Sequence, residues 1–221
     1  MLSPPSSLAA LLEEESAADR AFCYQRERWR EWTGHLDQNA LVLDDLPAEL
    51  DRTDAARLVR DLLPGDVTGA FTVAMMWGHG PSGHGPFRTA RILTGSKRPK
   101  EELVRVDVRR RLRESADIAL KKGAVAARLF LNAREGKVDR FGPAFITVWI
   151  SLITARGEAR SQFAAPVLDP RISRWLAVHA ISVRGDHPDD YARYVEMVAG
   201  WATSSGLAPV EVEERILRLA R

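Results

Sequence analysis

The reading of the fold turns on Arg140-Phe141-Gly142-Pro143-Ala144-Phe145-Ile146-Thr147-Val148-Trp149-Ile150-Ser151-Leu152-Ile153-Thr154 and on Pro166-Val167-Leu168-Asp169-Pro170. Residues 144–154 are apolar on all sides, which makes them a central, buried helix. Their β-branched content would also suit a strand, but no nearby segment reads as a partner strand. Gly142-Pro143 predicts a tight turn into this helix. A polar loop over 155–165 follows, and Asp169-Pro170 opens a further helix, with Asp as N-cap and Pro as first helical residue. The order is helix, hairpin, buried helix, loop, helix, with the helix–hairpin–helix near 124–154.

Outward from this stretch the chain reads as helical almost throughout. Leu8, Leu11, Leu12, Phe22, Trp29 and Trp32 predict one long helix over 7–33, stopped at Gly34. Residues 36–52 read as irregular. Thr53 caps a short helix to Leu63, ended by Pro64-Gly65. Val67, Ala70, Phe71, Ala74 and Met75 keep helical spacing up to Trp77. Pro99 opens a long charged helix to Lys122, Gly123 breaks it, and 124–132 form a short apolar helix. The helix opened by Asp169-Pro170, with Ile172, Trp175, Leu176 and His179 on one side, one around Tyr191–Trp201 with a stop near Gly206, and one over 209–220 complete the chain. Tyr191, Tyr194 and Trp201 follow core periodicity. The expected fold is all-α with two lobes and a cleft between them. The expected organisation is an N-terminal helical extension over 1–52 and a second unit over 53–221.

The 221 residues carry a net charge of only +2, but the charge is segregated. Residues 1–65 hold 7 Lys+Arg against 13 Asp+Glu, 66–140 hold 16 against 8, and 141–221 hold 9 against 9. A basic middle can mark a polyanion-binding face, or simply a solvated helix rich in arginine. The single cysteine, Cys23, excludes an intramolecular disulfide framework and a cysteine zinc cluster. The absence of a secretory pattern and of a long apolar run predicts a cytoplasmic protein with no membrane partner.

Two short segments carry chemistry. Gly78-His79-Gly80-Pro81 and Gly83-His84-Gly85-Pro86 form a repeat whose glycines and prolines predict a loop over 78–86. Two histidines five apart could ligate a metal, but no third ligand at suitable spacing is visible, so neither metal nor cofactor is expected. In the hairpin, Gly142 allows close backbone approach to a phosphate, and the amides of the following helix N-terminus, at Ala144, point toward it. Such a contact positions DNA without reading its sequence. An ordinary turn between two packed helices has the same local pattern.

Together, Trp77–Thr89, Arg140–Phe145 and Pro166–Asp169 resemble the helix–hairpin–helix DNA glycosylases, in particular the bacterial 8-oxoguanine DNA glycosylase-fold family, over about 55–220. Some glycosylases of this architecture act in phage defence, removing glucosylated hydroxymethylcytosine. The resemblance implies a monomeric enzyme that flips a modified base out of duplex DNA and excises it. Asp169 would be its catalytic carboxylate, stabilising positive charge on the deoxyribose and orienting water. Trp77, His79 and His84 would line the base pocket. Arg88, Arg91, Lys97, Lys137, Arg140, Gly142 and Ala144 would contact DNA, with Arg98 and Lys100 adding nearby charge.

One departure from the family pattern matters. Bifunctional members place a lysine early in the helix after the hairpin, and here that place falls at about Val148. No lysine follows Lys137, which lies on the wrong side of the hairpin. Without that amine the resemblance implies a monofunctional enzyme that leaves an abasic site. Classical 8-oxoguanine repair and a non-catalytic DNA-binding module are the alternatives.

Overall fold

The structure is a computed structural model that describes residues 3–16 and 20–220. Eleven α-helices and one two-stranded antiparallel sheet are present among the described residues. In chain order they are α1 (Ser6–Leu12), β1 (Phe22–Cys23), α2 (Arg26–Thr33), α3 (Asn39–Asp45), β2 (Glu49–Leu50) and α4 (Arg52–Leu62). Then follow α5 (Val67–His79), α6 (Gly85–Thr94), α7 (Val106–Asn132), α8 (Pro143–Thr154), α9 (Pro170–His179), α10 (Pro188–Ser205) and α11 (Pro209–Leu219). The fold is all-α.

The predicted helix over 7–33 is not continuous. Helix α1 ends at Leu12, and Phe22 and Cys23 pair with Leu50 and Glu49 before α2 begins. That pairing is made across the chain, where helical periodicity carries no information. Residues 17–19 of the expected helix lie outside the described residues. The segment 36–52 is not wholly irregular either, since α3 buries Leu43 and Asn39 donates to Thr72 Oγ1 of α5 at 2.9 Å. Asp51, not Thr53, caps α4, accepting from the Asp54 amide at 2.7 Å.

Pro99 opens only a 3₁₀ turn to Glu101, and the long helix starts later, at Val106. The Arg105 amide just before it donates to Leu93 O of α6 at 3.0 Å, which fixes the entry from outside the helix. Gly123, at φ +84, kinks α7 where the sequence predicts a break. The predicted loop over 78–86 shrinks to Gly80–His84, because α5 runs through His79 and α6 starts at Gly85. Its glycines serve close packing: a Cβ on Gly78 would lie 2.9 Å from Val148 Cγ1, and one on Gly85 2.8 Å from His79 Cβ.

The interior forms two buried clusters. The larger is built around α5 and α8, with Phe71 set edge-on to Trp149 at 5.5 Å and to Phe141 at 5.1 Å. Trp29, Leu36, Leu43 and Leu50 belong to it. The Trp149 indole N–H is satisfied by Ser115 Oγ at 3.0 Å. The smaller cluster gathers Leu8, Leu168, Ile172, Tyr191, Tyr194, Trp201 and Ile216. Helix α1 is fastened to α11 by Arg215, whose guanidinium donates to Leu11 O at 2.8 Å and Glu14 O at 2.7 Å. No helix among the described residues is long and apolar enough to cross a membrane.

Candidate nucleic-acid interface and active site

Two structures meet at the site: the hairpin that starts α8, and the extended arm that delivers Asp169 to α9. The arm, Ala165–Leu168, is buried and has no ladder partner, so its polar backbone groups need side chains. They find them. The Ala165 amide donates to Thr154 Oγ1 at 3.0 Å, Val167 to Glu213 Oε2 at 2.9 Å and Leu168 to Thr147 Oγ1 at 3.0 Å. Tyr191 and Tyr194 donate their hydroxyls to Pro166 O at 3.2 Å and Val167 O at 3.0 Å. Burial pushes both phenols up, so they remain donors. Each tyrosine therefore does more than pack.

Thr147 joins the two parts. Its hydroxyl donates to Ala144 O at 2.7 Å while accepting from Leu168, linking the first turn of α8 to the residue before Asp169. Glu213 links the arm to the end of α5. Its carboxylate receives Arg52 Nη2 on both oxygens at 2.8 Å, and the Arg52 guanidinium lies 4.8 Å from the centre of the Trp77 ring. Burial raises the Glu213 carboxyl, and the Arg52 charge opposes that rise. On the other side of the hairpin, buried Arg128 donates to Pro143 O at 3.3 Å and also to Gly185 O. That ties the start of α8 to the 182–187 loop.

Asp169 is the N-cap of α9, its Oδ1 accepting from the Arg171 amide at 2.7 Å. The Arg171 guanidinium covers the carboxylate, with Nε at 3.0 Å from Oδ1 and Nη2 at 3.1 Å from Oδ2. The flanking Leu168 and Pro170 line a cavity of about 520 Å³ together with Gly142, Ala144, Phe145 and Arg174. A second cavity, about 340 Å³, shares Gly142 and Phe145 and adds His79, Arg88, Arg91 and Arg140. His79 stacks on Phe145 with ring centres 4.1 Å apart. Burial, helped by the Arg88 charge, lowers its pKa from 6.5 to about 4, so the ring is neutral near pH 7.

The remaining expected residues are spread more widely. His84 is exposed before α6 and lines neither cavity; Trp77 is half-buried under Arg52. Lys97 is exposed in the segment after α6. Lys137 is exposed and lines a third cavity with Arg128, Arg140 and Gly142. Gly142 has an ordinary φ of −69, and the space where a Cβ would stand is open. The unusual backbone belongs to Arg140, at φ +63, whose guanidinium donates to Gly95 O at 2.9 Å. No side chain caps α8, leaving its first amides available.

The basic surplus of residues 66–140 divides in two. Arg105 and Arg111 pair with Asp107, Arg109 with Asp37 and Arg110 with Glu114. By contrast, Arg88, Arg91, Lys97, Lys137 and Arg140 form no ion pair among the described residues. Of these, Arg88, Arg91 and Arg140 bring unneutralised charge to the cavity beside the hairpin. No group of three or more His, Cys, Asp or Glu among the described residues could hold a metal.

Sequence reasoning assigned no role to Thr147, Arg128, Arg52 or Glu213. Thr147 alone had a local signal, sharing one face of a largely apolar helix with the hydroxyls of Ser151 and Thr154; the other three are recognised by partners distant in the chain.

The site thus combines an arm-borne aspartate with an uncapped helix start beside basic side chains, on an all-α fold. Residues 15–216 match the family described as "Putative 8-oxoguanine DNA glycosylase OGG-like protein", and the chain belongs to that family. The match reaches well upstream of residue 55, where the motif resemblance begins. No curated protein and no solved structure matches the chain.

Proposed function

We propose that this protein is a monofunctional DNA glycosylase that excises a modified base from duplex DNA. Its membership of a glycosylase family carries the general activity. The particular reading rests on the arm: Asp169 is fixed, through Leu168 and Thr147, to the helix that follows the hairpin.

In this reading the uncapped amides at Ala144 and Phe145 and the unpaired Arg88, Arg91 and Arg140 take backbone phosphates. Lys97 and Lys137 extend that contact. The target base leaves the stack and enters the space walled by His79 and Phe145, with Trp77 and His84 outside it. As the C1′–N bond breaks, its electron pair leaves with the base and positive charge grows on the sugar. Asp169, released from Arg171, stabilises that charge and takes a proton from the water that adds to C1′. The departed base anion takes up a proton from solvent, balancing the one Asp169 accepts, and the strand remains intact because no lysine follows Lys137 to form a Schiff base.

A second reading, repair of 8-oxoguanine, is favoured by the family's description. The test is excision from duplexes carrying 8-oxoguanine, uracil, hydroxymethylcytosine or its glucosylated form, read as alkali-labile sites. Excision of the glucosylated base favours phage defence, and excision of 8-oxoguanine favours repair. Release of no base by the folded protein contradicts the proposal.

A further inference from the structure

A separate cavity lies at the far ends of the two helices that build the site. It encloses about 330 Å³ and is lined by Leu63, Pro64, Ala116, Leu120 and Ile153, with Arg60, Arg113, Arg156 and Asp117 also contributing. Helix α5 begins just after Pro64 and ends at His79; α8 begins at the hairpin and ends just after Ile153. The 12 residues of α8 span about 18 Å, which separates this cavity from the hairpin.

Its apolar floor is well buried, with Ile153 1%, Ala116 2% and Leu63 8% exposed. Two of its cations are anchored by backbone of the cavity wall itself. Arg113 donates to Leu63 O, and Arg156 Nη2 donates to Leu120 O at 2.9 Å. Carbonyl partners fix a guanidinium without cancelling its charge, and each retains further N–H donors. Neither arginine pairs with Asp117 or any other carboxylate among the described residues, whereas Arg60 pairs with Asp61 at 2.7 Å. The turn that presents Arg156 is itself unusual: Arg156 has φ +53 and Gly157 φ +91, and Arg60 Nη1 lies 2.6 Å from where a Gly157 Cβ would stand. Left-handed non-glycine residues persist where their surroundings hold them, often beside ligands.

From this pre-positioned pair of guanidiniums over an apolar floor, we infer a binding site for a small amphipathic anion: an aromatic or aliphatic group carrying a carboxylate, phosphate or sulfonate. The apolar part fills the floor and the anionic head meets Arg113 and Arg156, with little ordering left to occur on binding. The inference does not rest on the glycosylase reading.

Anilinonaphthalene sulfonate, an apolar aromatic with one anionic head, is the probe. Titration into the full-length protein should give saturable fluorescence with one site per chain. Arg113→Met and Arg156→Met should each weaken binding by about tenfold or more, since each removes a charge-assisted contact. Leu120→Trp should block the site by filling it, and keeps the test open if an arginine variant fails to fold by circular dichroism. Arg88→Ala and added duplex DNA should leave the titration unchanged. No binding, non-saturable binding, or saturable binding that Leu120→Trp and the folded arginine variants do not alter would overturn the inference.

Discussion

The Leu168 amide donates to Thr147 Oγ1 at 3.0 Å, joining the residue before Asp169 to the helix that follows the hairpin. Thr147→Val keeps the shape but leaves a buried N–H without an acceptor, which costs about 1–3 kcal/mol. Denaturant unfolding should show that loss, and Thr147→Ser should recover most of it. If the bond also aligns Asp169, Thr147→Val should slow excision more than it weakens DNA binding. Equal stability of Thr147→Val and wild type would show that this hydrogen bond contributes nothing.

The buried Arg52–Glu213 pair should behave asymmetrically. Glu213→Ala leaves buried Arg52 to the partly exposed Glu214, 3.2 Å away, and deprives the Val167 amide of its acceptor, so a loss of up to about 3–5 kcal/mol is expected. Glu213→Gln keeps an acceptor for Val167 and should cost less. Comparable losses from the two substitutions, measured by chemical denaturation, would contradict the role given to the carboxamide oxygen as a sufficient acceptor.

His79 predicts a pH dependence. Its pKa falls from 6.5 to about 4 on folding, so below 6.5 the unfolded chain takes up a proton that the folded chain refuses. Its contribution to stability is complete above about pH 6.5 and is lost progressively as pH falls toward 4. Titration of the imidazole by NMR should give a midpoint near 4, and His79→Phe should flatten this part of the stability profile. A midpoint near 6.5 would show that the Phe145 stack does not exclude the proton.

Salt dependence tests the division of charge. Each phosphate neutralised adds about 0.9 to the log–log slope of duplex binding. Arg88→Ala, Arg91→Ala and Arg140→Ala should each lower that slope by up to about this amount. Arg110→Ala, whose charge is already paired with Glu114, should leave it unchanged. The reverse order would move the DNA face to the long helix.

Much of this architecture was legible in short-range pattern. Gly142-Pro143 and Asp169-Pro170 mark helix starts by local chemistry, and the all-apolar run after the hairpin marks a buried helix. What was illegible depends on distant pairing. Phe22 joins Leu50 in a strand pair, and Arg52 meets Glu213 across 161 positions. Likewise, the basic middle of the chain looked uniform until the partners of Arg105, Arg109 and Arg110 separated it from the unpaired hairpin cations. The amphipathic pattern of α11 also concealed that Glu211, Glu213 and Arg215 are buried, because their partners lie in the arm, α4 and the N-terminal segment.

The central claim is that Asp169 performs base excision without a lysine nucleophile. Single-turnover excision by wild type and Asp169→Asn, on the duplex that the base panel identifies, tests it most directly, with borohydride trapping run in parallel. The account predicts alkali-dependent cleavage and no trapped adduct for wild type, with Asp169→Asn slower by about a hundredfold or more while still binding DNA. Excision by Asp169→Asn at the wild-type rate, or a borohydride-trapped complex, would contradict it.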